Sequence, residues 1–88
     1  MDAFALTFEP GWNRHFETMD GPTRTRIWKK IQQFKQPMKH RHFKHGLPYF
    51  IEEAGGHRIV LEVNESEKTK NIIFVGTHKQ YEKWYRSV

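Results

Sequence analysis

The chain is predicted to be an α+β protein, with an antiparallel sheet of about four strands, an N-terminal helical hairpin packed on one face and a short C-terminal helix. Three observations carry this. Two stretches before Pro37 place apolar side chains at helical spacing. Between Leu47 and Thr77 the apolar residues either alternate or run on without interruption, as they do in strands. Pro, Gly, Asn and Asp gather between these stretches. With 88 residues, one domain covering 1–88 is expected.

The elements follow in order. Phe4, Leu6 and Phe8 alternate with Ala5 and Thr7, which predicts a half-buried strand. Pro10 suits the first turn of a helix, and Trp12, Phe16 and Met19 follow at i, i+4 and i+7. Asp20-Gly21-Pro22 ends that helix and starts a second, in which Ile27, Ile31 and Phe34 repeat the spacing until Pro37 stops it. A connection this short makes the pair an antiparallel hairpin. Leu47–Glu53 reads as a strand, Ala54-Gly55-Gly56 as a turn and His57–Val63 as a strand with Ile59, Leu61 and Val63 on one side. Asn71–Thr77 is nearly all apolar, as in a central strand. Thr77-His78-Lys79-Gln80 matches a capping box and predicts a helix to about Arg86. The order is β-α-α-β-β-β-α. Trp12, Phe16, Ile27, Ile31, Phe34, Ile59, Leu61 and Phe74 are the expected core, and the helices are expected to cover one face of the sheet.

The 13 aromatic residues let a few large side chains close a small core. There is no cysteine, which excludes disulfides and Cys-containing zinc sites. No signal peptide is recognisable, and Ile72-Ile73-Phe74-Val75, an apolar run as long as any in the chain, is too short to cross a bilayer. A cytoplasmic protein without membrane contacts is expected. From Gly21 to Ile51 there is no Asp or Glu, while Arg24, Arg26, Lys29, Lys30, Lys35, Lys39, Arg41 and Lys44 all fall there. The other seven basic and ten acidic residues sum to −3, so this block, at +8, carries all the excess behind the net charge of +5. A surface meeting a polyanion has this distribution, and so does a solvated helix face that meets nothing.

Three groups of residues can do chemistry. His78 would stand at the first position of a helix, where backbone N–H groups converge and a phosphate is welcome; a neutral imidazole there can accept a proton. Tyr81 lies one turn on, where it serves either the site or the packing of the helix, together with Trp84 and Tyr85. Arg58 begins a strand, and its planar fork suits phosphate, although Glu52, Glu53 or Glu62 could equally pair with it. Lys39-His40-Arg41-His42-Phe43-Lys44-His45 offers cations to phosphates, with Phe43 or Tyr49 available to stack on a base. His40 and His42 with His57 or His78 are the competing zinc set, which lacks any metal-motif spacing.

Gly56-His57-Arg58-Ile59-Val60 entering a strand and Phe74-Val75-Gly76-Thr77-His78-Lys79-Gln80-Tyr81 leaving the last one, preceded by a basic helical hairpin, resemble the RelE/ParE toxin superfamily over essentially the whole chain. The Gly-Thr-His-x-x-Tyr ending is most similar to its HigB branch. The resemblance implies a RelE-like fold and a toxin of a type II toxin–antitoxin pair, which cuts mRNA, usually on the ribosome, inhibits translation and is silenced by a small antitoxin. It matches Arg58 to the strand arginine of the family, His78 to the catalytic Arg or His after the last strand, and Tyr81 to a nearby tyrosine. There are two departures. Tyr49 and Ile51 stand where RelE-type members carry lysines, and no acid follows the second helix where YoeB-type members carry a glutamate base.

The expectation is an mRNA endoribonuclease without metal or cofactor, in which the RNA 2′-OH is the nucleophile. Arg58 would stabilise phosphate, His78 would do acid–base work, and Tyr81 would act as acid or stack on a base. Lys39, Arg41, His42, Lys44, Tyr49 and Lys79 would bind RNA. The alternatives are a ParE-like inhibitor of DNA gyrase and a non-catalytic RNA- or antitoxin-binding module of the same fold.

Overall fold

The computed structural model describes residues 3–42 and 49–87. Its elements are β1 (Ala5–Phe8), α1 (Gly21–Gln33), β2 (Arg41–His42), β3 (Tyr49–Ala54), β4 (His57–Asn64), β5 (Thr69–Thr77) and α2 (His78–Ser87). The strands form one sheet in the order β1-β5-β4-β3-β2.

The sheet is mixed rather than antiparallel. β2–β3, β3–β4 and β4–β5 pair antiparallel, but β1 lies parallel to β5, with Ala5 opposite Thr69 and Phe8 opposite Ile72. Hydropathy reports which face of a strand is buried and carries no information about which neighbour it takes. The β3–β4 turn is as expected: Ala54 pairs with His57, and Gly55 and Gly56 have φ of 54° and 83°. Two successive positive φ values match the twist of a two-residue hairpin.

The first predicted helix does not form as such. Residues 10–15 make turns and only Phe16–Thr18 closes a 3-10 turn. Gly11 has φ 88°, and most of the backbone bonds here span three residues, among them Trp12 N–H to Glu9 O and Met19 N–H to Phe16 O. The apolar stripe is real but serves aromatic packing: the Trp12 ring lies 4.8 Å from Phe8, 5.1 Å from Phe16 and 6.3 Å from Trp28. Trp12 and Phe16 therefore end half-buried at the edge of the core instead of within it.

α1 starts where expected. The Thr23 N–H donates to Asp20 Oδ1 at 2.9 Å, and Pro22 occupies the first turn. Hydrogen bonding from the Thr23 side chain, and then from this backbone N–H, holds the Asp20 carboxyl below its ordinary pKa. Ile27, Ile31 and Phe34 are fully buried against Ile59, Leu61, Ile72 and Val75, as the 3.6-residue stripe predicts.

The opposite face of the sheet is not left to solvent, as a helical hairpin on one side alone would leave it. α2 folds back over it, and Tyr81 packs with Ile51, Val60 and Phe74. Phe74 thus belongs to this second layer. A register shift opposite Val60 and Leu61, where Phe74 and Ile72 are their partners, turns Ile73 and Phe74 to the same side.

At the end of the α1 layer lies a buried polar chain. Lys70 is 1% exposed and donates to Gln36 O and His40 Nε2, both at 3.0 Å. His40 Nδ1 lies 2.7 Å from Glu52 Oε2, and Lys30 Nζ lies 3.8 Å from Glu52 Oε1. An ammonium on Nε2 and a carboxylate on Nδ1 dictate the neutral tautomer with its proton on Nδ1. Burial, with the neighbouring Lys70 charge acting in the same direction, outweighs the Glu52 hydrogen bond and pulls the His40 pKa below its usual value. His40 was expected on a basic RNA-facing or metal-binding segment. With both ring nitrogens engaged, it is instead a structural clasp between β3, β5 and the strand-entry segment after α1.

Candidate functional site

α2 begins where β5 ends because its first turn is capped in both directions. The Thr77 N–H donates to Gln80 Oε1 at 2.8 Å and the Gln80 N–H donates to Thr77 Oγ1 at 3.2 Å. Gly76 makes room for this cap. A Cβ there would lie 2.7 Å from Phe74 Cζ and 2.9 Å from Gln80 Oε1. Gly76→Ala should therefore displace the ring or the cap and cost about 1–3 kcal/mol. Thermal unfolding should read this as a loss of roughly 5 °C or more; an unchanged midpoint would mean that ring and cap both yield without cost.

The β4–β5 register sets His57 opposite Thr77 and Arg58 opposite Gly76. Arg58 thus comes to the head of α2, on the side of the sheet that α2 covers. Its guanidinium carbon lies 4.8 Å from the centroid of the buried Tyr81 ring, and Nη2 lies 3.4 Å from Oε2 of its cross-strand neighbour Glu53. Stacking on the ring holds the fork in one plane, and the side chain keeps 22% of its surface exposed. A partly exposed, oriented guanidinium can exchange a surface carboxylate for a phosphate.

His78 is the first residue of α2 and is exposed, with Nε2 3.0 Å from Glu82 Oε2 one turn further on. The structure therefore brings Arg58 and Tyr81 into contact and sets His78 at the same end of the sheet, where the ring meets Glu82. Tyr49 is half-buried on the same face as Tyr81, its ring 6.1 Å from Trp84. Lys39 and Lys79 are exposed. Lys44 lies outside the described residues, as do the side chains of Arg41 and His42, whose backbone forms the edge strand β2.

Among the described residues, the part of the basic block on α1 does not converge on Arg58. Arg24, Arg26 and Lys29 are exposed on α1, across the sheet from α2. Arg26 reaches the hairpin end, where its Nη1 stands 2.6 Å from the position of a Cβ on Gly55. Among the described residues no group of three or more His, Asp or Glu could hold a metal, and no helix is long and apolar enough to cross a membrane.

One feature of this face was not legible in the sequence. A cavity of about 680 Å³ opens between the turns at 9–15 and α2, lined in part by Arg14, His15, Ile73, Phe74, Lys83 and Trp84. Arg14 and Lys83 are 69 positions apart, and only the spacing of Gln80, Lys83, Trp84 and Ser87 along one side of α2 hinted at a shared face.

No family model matches the chain, and no curated sequence is a significant match. Solved structures do match. The isolated RelE toxin of E. coli superposes with a TM-score of 0.70 at 17% identity, over 98% of this chain and 100% of the toxin. The E. coli RelBE toxin–antitoxin complex gives 0.70 at 20% identity, over 85% and 96%. The RelB–RelE complex of Methanococcus jannaschii gives 0.70 at 19% identity, over 90% and 98%. The chain has the fold of these RelE toxins, as its two strand-end motifs implied.

Proposed function

We propose that this protein is the toxin of a type II toxin–antitoxin pair and that it acts as an endoribonuclease on mRNA, inhibiting translation until a small antitoxin binds it. The observation that carries this reading is the oriented Arg58 fork, stacked on Tyr81 beside the N-terminal turn of α2 that begins with His78. The fold supports it, since the structures it resembles are RelE toxins, alone and in complex with RelB antitoxins.

The chemistry follows from the groups present. The 2′-OH attacks the adjacent phosphorus, its proton passes to a base, and the leaving 5′-oxygen takes a proton from an acid. Arg58 meets the charge that develops on the phosphoryl oxygens. His78 supplies a proton acceptor at a helix start that also attracts the phosphate. Tyr81 holds Arg58 in place through its ring, a role that its burial favours over stacking on a base. Among the described residues, Lys39 and Lys79 are left as exposed cations for the RNA backbone.

His78→Ala should lower cleavage of an mRNA in a purified translation mixture by ~10²-fold, with an unchanged melting temperature because the ring is exposed. Expression of the parent should arrest growth, and the variant should relieve that arrest. Equal arrest by both would remove His78 from the mechanism. A second reading, a non-catalytic RNA- or antitoxin-binding module, is favoured by one observation: Arg58 and His78 each already face a carboxylate. That reading predicts RNA binding without new 2′,3′-cyclic phosphate ends.

A further inference from the structure

The cavity between the N-terminal turns and α2 plays no part in the chemistry assigned above, and its walls combine two properties that seldom coincide by packing alone. One wall is aromatic. The Phe74 and Trp84 rings stack at 5.2 Å and 21°, and His15 meets the edge of Phe74 at 5.7 Å. The other property is charge. Arg14, from the N-terminal turns, and Lys83, from α2, both line the opening and are exposed, and among the described residues neither has a carboxylate partner. Glu9, the one acid in the lining, is engaged by Asn71, whose Nδ2 donates to Glu9 Oε1 at 2.8 Å.

Such a site selects a ligand that is planar and apolar on one side and anionic on the other. A volume near 680 Å³ lies within the range of small-molecule sites. A simple anion would leave the aromatic wall unused, and an apolar ligand would leave two cations facing it. A nucleotide satisfies both: its base extends the Trp84–Phe74 stack and its phosphate bridges Arg14 and Lys83.

Trp84 ties this cavity to the candidate site. Its ring also lies 6.2 Å from Tyr81, which carries Arg58, and 6.1 Å from Tyr49. We propose that the cavity formed by Arg14, His15, Phe74, Lys83 and Trp84 is a nucleotide subsite that holds one base of the RNA strand flanking the phosphate at Arg58. This placement along the RNA rests on the endoribonuclease reading; the affinity for a nucleotide does not.

The test separates the two. The protein is titrated with adenosine 5′-monophosphate, and separately with inorganic phosphate and with adenosine, while backbone amide shifts are followed by NMR. The monophosphate should produce saturable shifts at His15, Phe74, Lys83 and Trp84, and adenosine or phosphate alone should bind at least about tenfold more weakly, since each engages half the site. Arg14→Glu combined with Lys83→Glu, both at exposed positions, should weaken the monophosphate by at least about tenfold, and Trp84→Phe should retain it. In RNA cleavage the double variant should raise KM and leave kcat within about twofold. If the monophosphate gives no saturable shifts in this cavity, or if phosphate alone binds as well, the subsite is overturned even in an active enzyme. Shifts here caused only by an acidic peptide would overturn it in favour of a protein partner. If the chain cleaves no RNA yet binds the monophosphate here, the activity fails and the nucleotide site stands.

Discussion

Arg58→Ala should reduce RNA cleavage by ~10²–10³-fold, the loss expected when one oriented donor to a developing oxyanion is removed. The side chain contributes little else. It is partly exposed, its ion pair with Glu53 is a surface pair, and its stacking on Tyr81 is worth about 1 kcal/mol at such a site. The melting temperature should therefore fall by only a few degrees. Arg58→Lys should restore little activity, since an ammonium carries the charge without the planar fork that stacks on Tyr81 and can donate twice to one phosphate. Combining Arg58→Ala with His78→Ala should cost less than the product of the separate losses, because groups that act as a unit are not additive. Single-turnover cleavage of a defined RNA measures all of these. A variant that unfolds earlier yet cleaves as fast as the parent would show that Arg58 serves only the Glu53–Tyr81 contact.

Lys70→Ala should be strongly destabilising, at ~3 kcal/mol or more. It removes the ammonium that satisfies Gln36 O and His40 Nε2, and it empties the space beside the Phe4 ring, which lies 4.6 Å from Lys70 Nζ. Lys70→Met, which keeps the stem, should cost less. Chemical denaturation would rank them, and equal losses would mean that the hydrogen bonds, not the packing of the stem, are what Lys70 supplies. The same cluster sets a pH dependence. The folded state holds His40 below its ordinary pKa of 6.5, so the unfolded chain binds this proton more readily. The stability associated with neutral His40 is fully present above 6.5 and is lost as the pH falls from there through the lower folded value. Denaturation curves at pH 7.5 and pH 5.5 should show this loss. It should shrink in Lys70→Met, where an imidazolium no longer faces an ammonium and can still donate to Glu52.

Much of the architecture could be read from residues in sequence. The Ile27–Ile31–Phe34 stripe, the alternation of Phe4, Leu6 and Phe8, the two glycines of the β3–β4 turn and the Thr77–Gln80 capping box are local patterns. Each rests on a backbone period or a preferred φ, and each appears where its residues predicted. The Trp12–Phe16–Met19 stripe has the same form but did not make an α-helix. Gly11 adopts a positive φ, outside the helical region, and the ring of Trp12 packs against Phe8 and Trp28.

The chain alone determined the layer chemistry: which side chains are apolar, at what period, where helices start and where strands turn. Tertiary structure decided everything that depends on partners far apart in sequence. It set β1 parallel to β5 and carried α2 to the face opposite α1, parting the basic helix from Arg58. It buried His40 and Lys70, whose side chains meet the Glu52 carboxylate and the Gln36 carbonyl there. It also brought Arg14 and Lys83 to the lining of one cavity. Periodicity fixes the direction in which a side chain leaves its own element. Hydrogen-bond partners, desolvation and electrostatic neighbours belong to the packed assembly, and these decide whether a charged residue becomes a clasp, a site or a solvated surface.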